Sequence, residues 1–329
     1  MIEVSAGIIY NAEGRILLCR RGESRSNAHL WEFPGGKREA GETAESCLAR
    51  ELLEELSLPV TDLRPYAASD CGGIRFTFLL GRTAAHPVLT EHEDARFVSP
   101  RELLQFDCCP ADVPIARRLA LAGVRHVFWD FDGTLLDSYP AMTRAFVSAA
   151  AEHGVTVAPG RVLDLLKDCL SHCCAVVGAE NNLSPQTLHD TFRRHEQGEL
   201  LRGLPPRPGV PEALAAMQHA GVRHYVATHR CGVEALLDAS ALRGRFSGAV
   251  TGDDRLPRKP APDMLLHLMR QHALSPAECM MVGDRPLDTE AGLNAGITAV
   301  LIDPEDRFPD AACDLRVHDL YWELICGMT

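Results

Sequence analysis

Five short, continuously apolar runs in the last two thirds of the chain constrain its fold more than any other feature. In chain order they are HVFWD at 126–130, HYVAT at 224–228, GAVTG at 248–252, CMMVGD at 279–284 and TAVLI at 298–302. Each has the length of a strand, and helical stretches separate them. Strands that are apolar on both faces are typical of a parallel sheet covered by helices on either side. The runs therefore predict a doubly wound, Rossmann-like α/β domain after Gly123.

The chain has a different pattern before Gly123. Two apolar runs flank an Asn-Ala-Glu-Gly turn at 11–14, which indicates a β-hairpin. Further strand-like pieces follow, with a helical stretch at about 43–56 and a closing helix after Pro110. Because these strands and helices do not alternate strictly, they predict an α+β unit.

The change of pattern predicts two domains, 1–123 and 124–329. The join at 121–125, LAGVR, has no flexible linker composition. Within the second domain, the pattern at about 139–204 is helical throughout. We therefore expect an all-helical insert after the first strand of the α/β domain.

Charge and composition restrict the partners. The formal net charge is −12, which argues against a nucleic-acid partner, because binding to that backbone needs a basic face. The start lacks the features of a secretory signal, and no apolar run approaches the roughly 18 to 20 residues of a membrane span. The 12 cysteines form no Cys-x-x-Cys pair. We therefore expect a cytoplasmic protein with reduced thiols and no membrane partner. The oligomeric state stays open.

Three glutamates lie on one face of the helix predicted at about 43–56. Glu51, Glu54 and Glu55 stand at i, i+3 and i+4, and like charges at that spacing cost about 0.2–0.5 kcal/mol per pair. Two interpretations are open. The glutamates form a solvated acidic face, or they are ligands for a hard divalent cation, which prefers oxygen donors.

The stretch that contains these glutamates resembles the Nudix box. That pattern runs Gly, five residues, Glu, seven residues, and then Arg-Glu-apolar-x-Glu-Glu-x-Gly-apolar. Its positions are held here by Gly36, Glu42, Arg50, Glu51, Leu52, Glu54, Glu55, Ser57 and Leu58. Ser57 departs from the Gly of the pattern. Because that Gly ends the helix in a left-handed conformation, Ser costs about 1 kcal/mol or less there and leaves the acidic residues untouched.

The segments LWEFPGGKREAGET and PADVPIARRL resemble the mutator-type branch of this family, which hydrolyses (deoxy)nucleoside triphosphates such as 8-oxo-dGTP or CTP-like ones. The resemblance implies that water attacks a bridging phosphorus and that a nucleoside monophosphate and pyrophosphate are released. It implies Mg²⁺ as the cofactor, or Mn²⁺ in its place, and a catalytic role for Glu54. The implied metal ligands are Glu51, Glu54, Glu55, the Gly35–Gly36 backbone and Glu91.

The same resemblance places substrate contacts. Arg21 and Glu32 match positions near the phosphates and the sugar, and Asp112 matches a base-reading position that is often Asn in readers of 8-oxoguanine. A carboxylate accepts hydrogen bonds and a protonated carboxyl also donates, so the base stays open. Asp112 can also be read as a helix N-cap. Cys108 and Cys109 lie close by in sequence, either lining the base pocket or buried in the core.

Asp130 and Asp132 end the first apolar run of the second domain, where open α/β sheets place their ligands. A chance surface turn is the alternative for an isolated Asp-x-Asp. Later strand ends and loops add Thr228, Lys259, Asp284 and Asp288. Together these residues resemble the four motifs of the haloacid dehalogenase superfamily, in its phosphoglycolate-phosphatase-like branch with a helical cap.

This second resemblance implies a Mg²⁺-dependent phosphatase. The implied ligands are Asp130, the backbone carbonyl of Asp132, Asp284 and Asp288. Asp130 is implied to attack phosphorus and form an aspartyl-phosphate. Asp132 would protonate the leaving oxygen and then deprotonate the hydrolytic water. Thr228 would hydrogen-bond the phosphoryl oxygens, and Lys259 would balance their charge.

The two resemblances predict a bifunctional hydrolase with nucleotide and phosphate-ester substrates. The second domain either dephosphorylates the monophosphate released by the first or acts on an unrelated ester, such as a sugar phosphate or phosphoglycolate. Alternatively, one domain binds and regulates, although the acidic residues present at both sites argue against this. His229 and Arg230 either contact substrate or cap their loop. The insert at 139–204 is expected to be a lid that excludes water and selects the leaving group.

Overall fold

The structure is a computed structural model that describes residues 2–200 and 203–318. The chain divides into two compact units, Met1–Gly123 and Val124–Thr329, and each is described by itself. In the described ranges, no helix is both long enough and apolar enough to cross a membrane.

The first unit is a mixed sheet with a helix on each face. Its elements are strands β1 (Ile2–Tyr10), β2 (Ile16–Arg20), β3 (Trp31–Glu32), β4 (Gly35–Lys37), β5 (Thr61–Cys71), β6 (Ile74–Arg82) and β7 (Asp94–Val98), helices α1 (Ala44–Leu56) and α2 (Val113–Leu121), and a 3-10 helix at Arg101–Gln105. Strand β1 is antiparallel to β2 and β4 and parallel to β6. Alternate side chains divide the core, since Ile8 packs in the cluster that contains α2 and Ile9 in the cluster that contains α1. The predicted α+β architecture is confirmed.

Helix α1 begins and ends at residues suited to those positions. Thr43 is its N-cap and accepts a hydrogen bond from the Ser46 amide, as part of a capping box. Its buried face includes Leu48, Leu52 and Leu56, and Ser57 follows in the left-handed conformation (φ 48°, ψ 36°). The helix therefore buries its apolar stripe and leaves the acidic face available.

The second unit is a parallel, doubly wound sheet, as predicted. Its strands are β8 (His126–Trp129), β9 (Arg223–Ala227), β10 (Phe246–Val250), β11 (Cys279–Gly283), β12 (Thr298–Ile302) and β13 (Leu315–Val317). Their order is β10-β9-β8-β11-β12-β13, and every pairing is parallel. The central position of β8 brings its carboxyl end beside those of β9 and β11.

Helices surround this sheet and fill the connection after β8. They are α3 (Tyr139–Glu152), α4 (Pro159–Asp168), α5 (Leu170–Glu180), α6 (Pro185–Leu200), α7 (Val210–His219), α8 (Val233–Ala239), α9 (Asp263–His272) and α10 (Pro286–Asn294). Helices α3 to α6 share a core of their own, which includes Phe146, Cys173 and Phe192. The predicted helical insert is therefore present after the first strand of the sheet.

Three elements differ from the sequence expectations. Strand β5 was missed because it is mostly exposed and lies at the edge of its sheet, so it lacks an apolar signature. Strand β13 was missed because it has only three residues. The pattern at about 139–204 was predicted to be helical throughout, but within it Cys169 is extended (φ −170°, ψ 156°) and separates α4 from α5. The Cys169 thiol then accepts from the His172 amide and caps α5.

Candidate active sites

Two adjacent glycines position the acidic helix of the first unit. Both lie in β4, next to β1. A Cβ on Gly35 would lie 2.0 Å from the carbonyl oxygen of Ser5, and one on Gly36 would lie 2.1 Å from the Glu51 carboxylate carbon. Gly35 is therefore required where β4 pairs with β1, and a side chain at Gly36 would displace the Glu51 carboxylate of α1.

Arg50 holds the acidic face of α1. Its guanidinium donates to Glu42 at 2.8 and 3.0 Å, to Glu51 at 2.9 Å and to Glu54 at 3.1 Å. The hydrogen bonds from Arg50 are the main cause that lowers the pKa of Glu42 to about 2. Like-charge repulsion on this face is therefore offset by a cation of the chain itself. Glu54 lies on the exposed side of the helix, with 60% of its side chain accessible.

The other glutamates line a cleft of about 590 Å³. Glu51, Glu55 and Glu91 are among its walls, and Glu54 is not. Arg25 lies between two of them, since it pairs with Glu91 and its Nη2 is 3.8 Å from Glu55 Oε1. In the described part of the first unit, no three His, Cys, Asp or Glu side chains bring ligand atoms within 4.8 Å of one another. All the implied ligands except Glu54 share this cleft, but their carboxylates do not converge.

The predicted phosphate and sugar contacts lie in the same cleft. Arg21 pairs with Glu32, and both line the wall. His92, which sequence reasoning missed, is buried with its Nε2 3.3 Å from Glu32 Oε1 and 3.9 Å from Glu55 Oε2. Burial raises the pKa of Glu55, and the His92 charge opposes that effect. His92 lies in the loop before β7 and belongs to no motif that would have identified it.

Asp112 lies in the cleft wall and is buried, with 4% of its surface exposed. Its Oδ1 accepts from the Phe33 amide at 3.4 Å. Burial, reinforced by the charge of Glu32, raises the pKa of Asp112 to about 8. The N-cap interpretation is wrong for its side chain: Asp112 occupies the cap position of α2 but makes no side-chain capping bond.

The two adjacent cysteines, Cys108 and Cys109, lie in different surroundings. Cys109 lines the cleft, whereas Cys108 packs in the core cluster with Trp31. Burial raises the pKa of both thiols to about 12, so neither is a thiolate at neutral pH. Cys109 is therefore a small, neutral wall residue.

In the second unit, Asp130 follows β8 and meets residues from two later segments. Lys259 Nζ lies 2.6 Å from Asp130 Oδ1 and 2.5 Å from Asp288 Oδ1. It also donates to the Ala227 carbonyl oxygen at 2.9 Å. Burial and the Asp288 charge raise the pKa of Asp130. Burial disfavours charge on Lys259, but the two aspartates dominate and raise its pKa.

Asp130, Asp284 and Asp288 form a cluster that can hold a metal ion, with ligand atoms within 4.8 Å of one another. Asp284 accepts from Thr134 at 2.9 Å and from the Tyr139 hydroxyl at 3.0 Å. Burial and the charge of Asp130 raise the pKa of Asp284 to about 7. Thr134 and Tyr139 were not identified from the sequence.

Glycine is needed beside this cluster. A Cβ on Gly133 would lie 2.4 Å from Asp284 Oδ2 and 2.2 Å from the Tyr139 ring, and Gly133 has φ of 77°. Arg285, also missed, places Nη2 3.8 Å from Asp130 Oδ2. The aspartate cluster therefore has the Gly133 backbone on one side and the Arg285 guanidinium on another.

Thr228 directly follows β9 and is buried. Its Oγ1 accepts from the Arg230 amide at 3.2 Å, and His229 Nε2 accepts from the Lys259 amide at 2.7 Å. Burial and the Lys259 charge lower the pKa of His229 to about 4. The ring of His229 is therefore a neutral loop contact in the structure.

Arg230 contacts side chains outside its own loop, so it is more than a loop cap. Its Nε donates to both carboxylate oxygens of Asp132, at 2.9 and 2.7 Å, and its Nη2 donates to Glu196 Oε1 on α6 at 3.0 Å. Burial opposes ionisation of Asp132, but the Arg230 charge prevails and lowers the pKa of Asp132. Glu196, a residue of the helical insert, was missed because nothing in its local sequence marks it.

An acidic cleft on an α+β unit, followed by an aspartate cluster at the strand ends of a doubly wound sheet, defines a hydrolase of phosphate compounds. The NUDIX domain family matches residues 2–119, and the haloacid dehalogenase-like hydrolase family matches residues 124–296. The chain belongs to both families, in that order along the sequence. Its first unit is of the pyrophosphohydrolase type and its second of the phosphatase type.

Three known proteins illustrate the similarity. CTP pyrophosphohydrolase of Escherichia coli (strain K12) is 40% identical over 121 residues, which cover 35% of this chain and 88% of that protein. A phosphoglycolate phosphatase of Pseudomonas savastanoi pv. phaseolicola (strain 1448A / Race 6) is 30% identical over 192 residues, covering 54% of this chain and 68% of that protein. The structure of CbbY from Rhodobacter sphaeroides in complex with phosphate has a TM-score of 0.51 at 21% identity, covering 60% of this chain and 96% of that one. The last similarity concerns the fold alone.

Proposed function

We propose that the first unit hydrolyses a (deoxy)nucleoside triphosphate, modified or oxidised forms included, to the monophosphate and pyrophosphate. The second unit then removes the remaining phosphate from that monophosphate. Both reactions depend on Mg²⁺ in this proposal, with Mn²⁺ as a substitute. The observation that carries the nucleotide assignment is a single cleft lined both by Glu51 and Glu55 and by the buried carboxyl of Asp112.

Asp112 suits the edge of a nucleobase. With a pKa of about 8, its carboxyl is protonated at neutral pH and offers a donor beside an acceptor. Cytosine presents an acceptor beside its exocyclic amino donor, and other bases present comparable pairs. The similarity to a protein named CTP pyrophosphohydrolase supports CTP as the first substrate to test.

In the first reaction, the glutamates and the residues around them have different proposed roles. Water attacks a bridging phosphorus, the bond to the pyrophosphate oxygen breaks, and monophosphate and pyrophosphate leave. Glu51, Glu55, Glu91 and the Gly36 carbonyl line the cleft and are hard oxygen donors of the kind that Mg²⁺ prefers, so they would hold the ion once they converge on it, and its charge would offset that of the phosphates. Arg50 keeps Glu51 oriented, and Arg21 and Glu32 are the proposed phosphate and sugar contacts. Glu54 faces Arg50 outside the cleft, so its proposed catalytic role has the least support in the set.

The aspartate cluster of the second unit fits a cation as well. Asp130 Oδ2 is buried and has no hydrogen-bond partner among the described residues. Mg²⁺ held by Asp130, the Asp132 carbonyl, Asp284 and Asp288 would supply the positive charge that lets an anionic ester approach.

The remaining roles fall to the chain's own groups. Asp130 forms a bond to phosphorus as the ester oxygen leaves, and Asp132 gives that oxygen a proton. Asp132 then takes a proton from the water that attacks the aspartyl-phosphate, which releases phosphate and restores Asp130. Lys259, fixed between two aspartates and a backbone carbonyl, keeps Asp130 aligned, and Thr228 is the proposed donor to the phosphoryl oxygens.

A nucleotide panel with Mg²⁺ tests the sequence of reactions. Triphosphate, monophosphate, nucleoside, pyrophosphate and phosphate are measured for the wild type, Asp130→Asn and Glu55→Gln. We expect Asp130→Asn to accumulate monophosphate and pyrophosphate. Glu55→Gln should leave triphosphate intact yet dephosphorylate added monophosphate.

Matched controls separate these effects from general damage. Glu45→Gln on the same helix as Glu55, and Glu290→Gln on α10, should retain both activities, since neither residue lines a site. A wild type that never consumes a monophosphate would refute the sequential proposal, while release of pyrophosphate would still decide the first reaction by itself. Hydrolysis of phosphoglycolate in preference to every monophosphate would favour the alternative suggested by the second relative's name.

A further inference from the structure

One arginine of the first unit lies among the implied metal ligands. Arg25 Nη2 is 3.8 Å from Glu55 Oε1, and the same nitrogen pairs with Glu91 Oε2. All three side chains line the cleft, and they also line a small chamber of about 40 Å³ that shares walls with it. One cation of the chain is therefore shared by two of the carboxylates that would hold Mg²⁺.

The chamber has the size and the lining of a cation site. Its volume exceeds the roughly 10–15 Å³ that one water molecule needs. His92 also lines it, with a side chain that is 6% exposed and an Nδ1 that has no hydrogen-bond partner among the described residues. A buried polar atom without a partner is unfavourable, so Nδ1 marks a place for a further polar group.

Arg25 is held more loosely than Arg50. The Arg50 guanidinium donates four hydrogen bonds to three glutamates, and its side chain is 26% exposed. The side chains of Arg25 and Glu91 are both 49% exposed, and exposed ion pairs contribute little to stability. Arg25 can therefore leave its carboxylates at small cost, whereas Arg50 is part of the structure of α1.

Arg25 and a divalent ion compete for the same carboxylates. Metal ligation uses the oxygen lone pairs that Arg25 engages, and a guanidinium beside the ion would repel it. The guanidinium also lies between Glu55 and Glu91, which keeps these two carboxylates from converging. The side chain of Arg25 must therefore move before both glutamates can ligate one ion.

We propose that Arg25 is a substrate-binding residue of the first unit, which leaves Glu55 and Glu91 when a divalent ion binds there and then pairs with the triphosphate. The inference rests on the proposed function of the first unit. A guanidinium can donate to two oxygens of a phosphate at once, and Arg25 lines the cleft in which the nucleotide is proposed to bind. Because Arg25 yields its carboxylates to the ion and is taken by the triphosphate, each ligand should bind more tightly once the other is present.

The first test uses Mn²⁺ alone and the whole protein with isotope-labelled glycine. Broadening of the Gly36 amide signal in NMR spectra reports Mn²⁺ binding in the first unit, and broadening of the Gly133 signal reports binding beside Asp284 in the second. We expect Arg25→Gln to lower the Mn²⁺ Kd measured at Gly36 by about fivefold at low ionic strength, because a nearby positive charge is removed. The Kd measured at Gly133 should not change.

Two further variants separate charge from general damage. Arg25→Lys keeps a positive charge and should recover most of the wild-type Kd at Gly36. Arg75→Gln is the matched control, because Arg75 is 50% exposed, pairs with Asp70 at 3.5 Å and does not line the cleft. It should leave the Kd values at both glycines unchanged.

Hydrolysis of CTP, the first substrate to test, gives the second readout. Arg25→Gln should raise the KM for CTP by about tenfold, the usual size of one lost hydrogen bond to a charged group. The kcat should change less, because the proposed contact is made to the bound triphosphate before reaction as well as during it. Arg75→Gln should leave both constants unchanged.

Two results would overturn the proposal. One is an Arg25→Gln protein with wild-type thermal unfolding and an unchanged Mn²⁺ Kd at Gly36. The other is a lower Kd with an unchanged KM, which would make Arg25 a competitor of the metal but not a substrate contact. Failure of the proposed function looks different: no triphosphate would be hydrolysed, while the effect of Arg25→Gln on Mn²⁺ binding, measured without nucleotide, would persist.

Discussion

Replacing Asp112 by Asn tests the buried carboxyl in the cleft of the first unit. The amide keeps an acceptor for the Phe33 backbone but cannot ionise. In the wild type, burial raises the pKa of Asp112 from 3.8 to about 8. Because the folded state binds this proton more tightly than the unfolded state, the associated stability is fully present below about pH 4 and is lost as the pH rises through about 8.

The magnitude follows from the separation of the two pKa values. About four pKa units correspond to several kcal/mol across the whole range, at about 1.4 kcal/mol for each pH unit. The free energy of unfolding of Asp112→Asn should therefore gain on that of the wild type by about 1.4 kcal/mol per unit between pH 5 and 7, and level off above about pH 8.

The assay is urea denaturation at several pH values, with unfolding of the first unit followed by amide exchange in peptides from β1 and α2. Asp107→Asn is the matched control, because Asp107 is an exposed carboxylate that does not line the cleft. If the gap between Asp112→Asn and the wild type stays constant within about 0.3 kcal/mol from pH 5 to 7, the carboxyl ionises normally and the argument for a neutral base-reading group fails.

Three further substitutions have definite expectations. Ser57→Gly should stabilise the first unit by up to about 1 kcal/mol in urea denaturation, because Gly adopts the left-handed cap conformation without strain, and an unchanged midpoint would contradict this. Gly36→Ala should abolish pyrophosphate release while phosphatase activity persists, because its Cβ would lie 2.1 Å from the Glu51 carboxylate carbon; retained release would refute the close packing. Gly133→Ala should do the reverse, since its Cβ would meet Asp284 at 2.4 Å in a backbone with φ of 77°, and the measurement is phosphate release from a monoester beside pyrophosphate release.

Periodicity predicted the elements whose burial is uniform. The strands β11 and β12 are buried along their whole length, so their apolar runs could be read directly. Helix α1 was predictable because its apolar stripe recurs every three or four residues. In contrast, β5 has no buried residue, and the break at Cys169 has neither Gly nor Pro to mark it. Such features are set by tertiary contacts, which a local pattern does not contain.

The candidate sites divide in the same way. Residues of the fixed motifs, such as Asp130 and Lys259, could be named because they match the motifs of a known family. Their partners could not, since the structure brings together residues far apart in sequence. Tyr139 contacts Asp284 across 145 positions, and Arg230 contacts Glu196 across 34. A glutamate on a mostly polar helix has no sequence feature that distinguishes a buried partner of an arginine from a solvated residue.

The acidic clusters also show why a metal was too narrow an explanation for the glutamates on α1. Arg50 engages Glu42, Glu51 and Glu54, and Lys259 joins Asp130 to Asp288, so in each unit a cation of the chain offsets part of the repulsion. Such a cation lowers the repulsion between the carboxylates and also orients them, because its hydrogen bonds are directional. A metal ion that bound at Asp130, Asp284 and Asp288 would therefore meet groups that are already oriented, which would lower the ordering cost of binding. The carboxylates are therefore part of the architecture of each unit before they act on any phosphate.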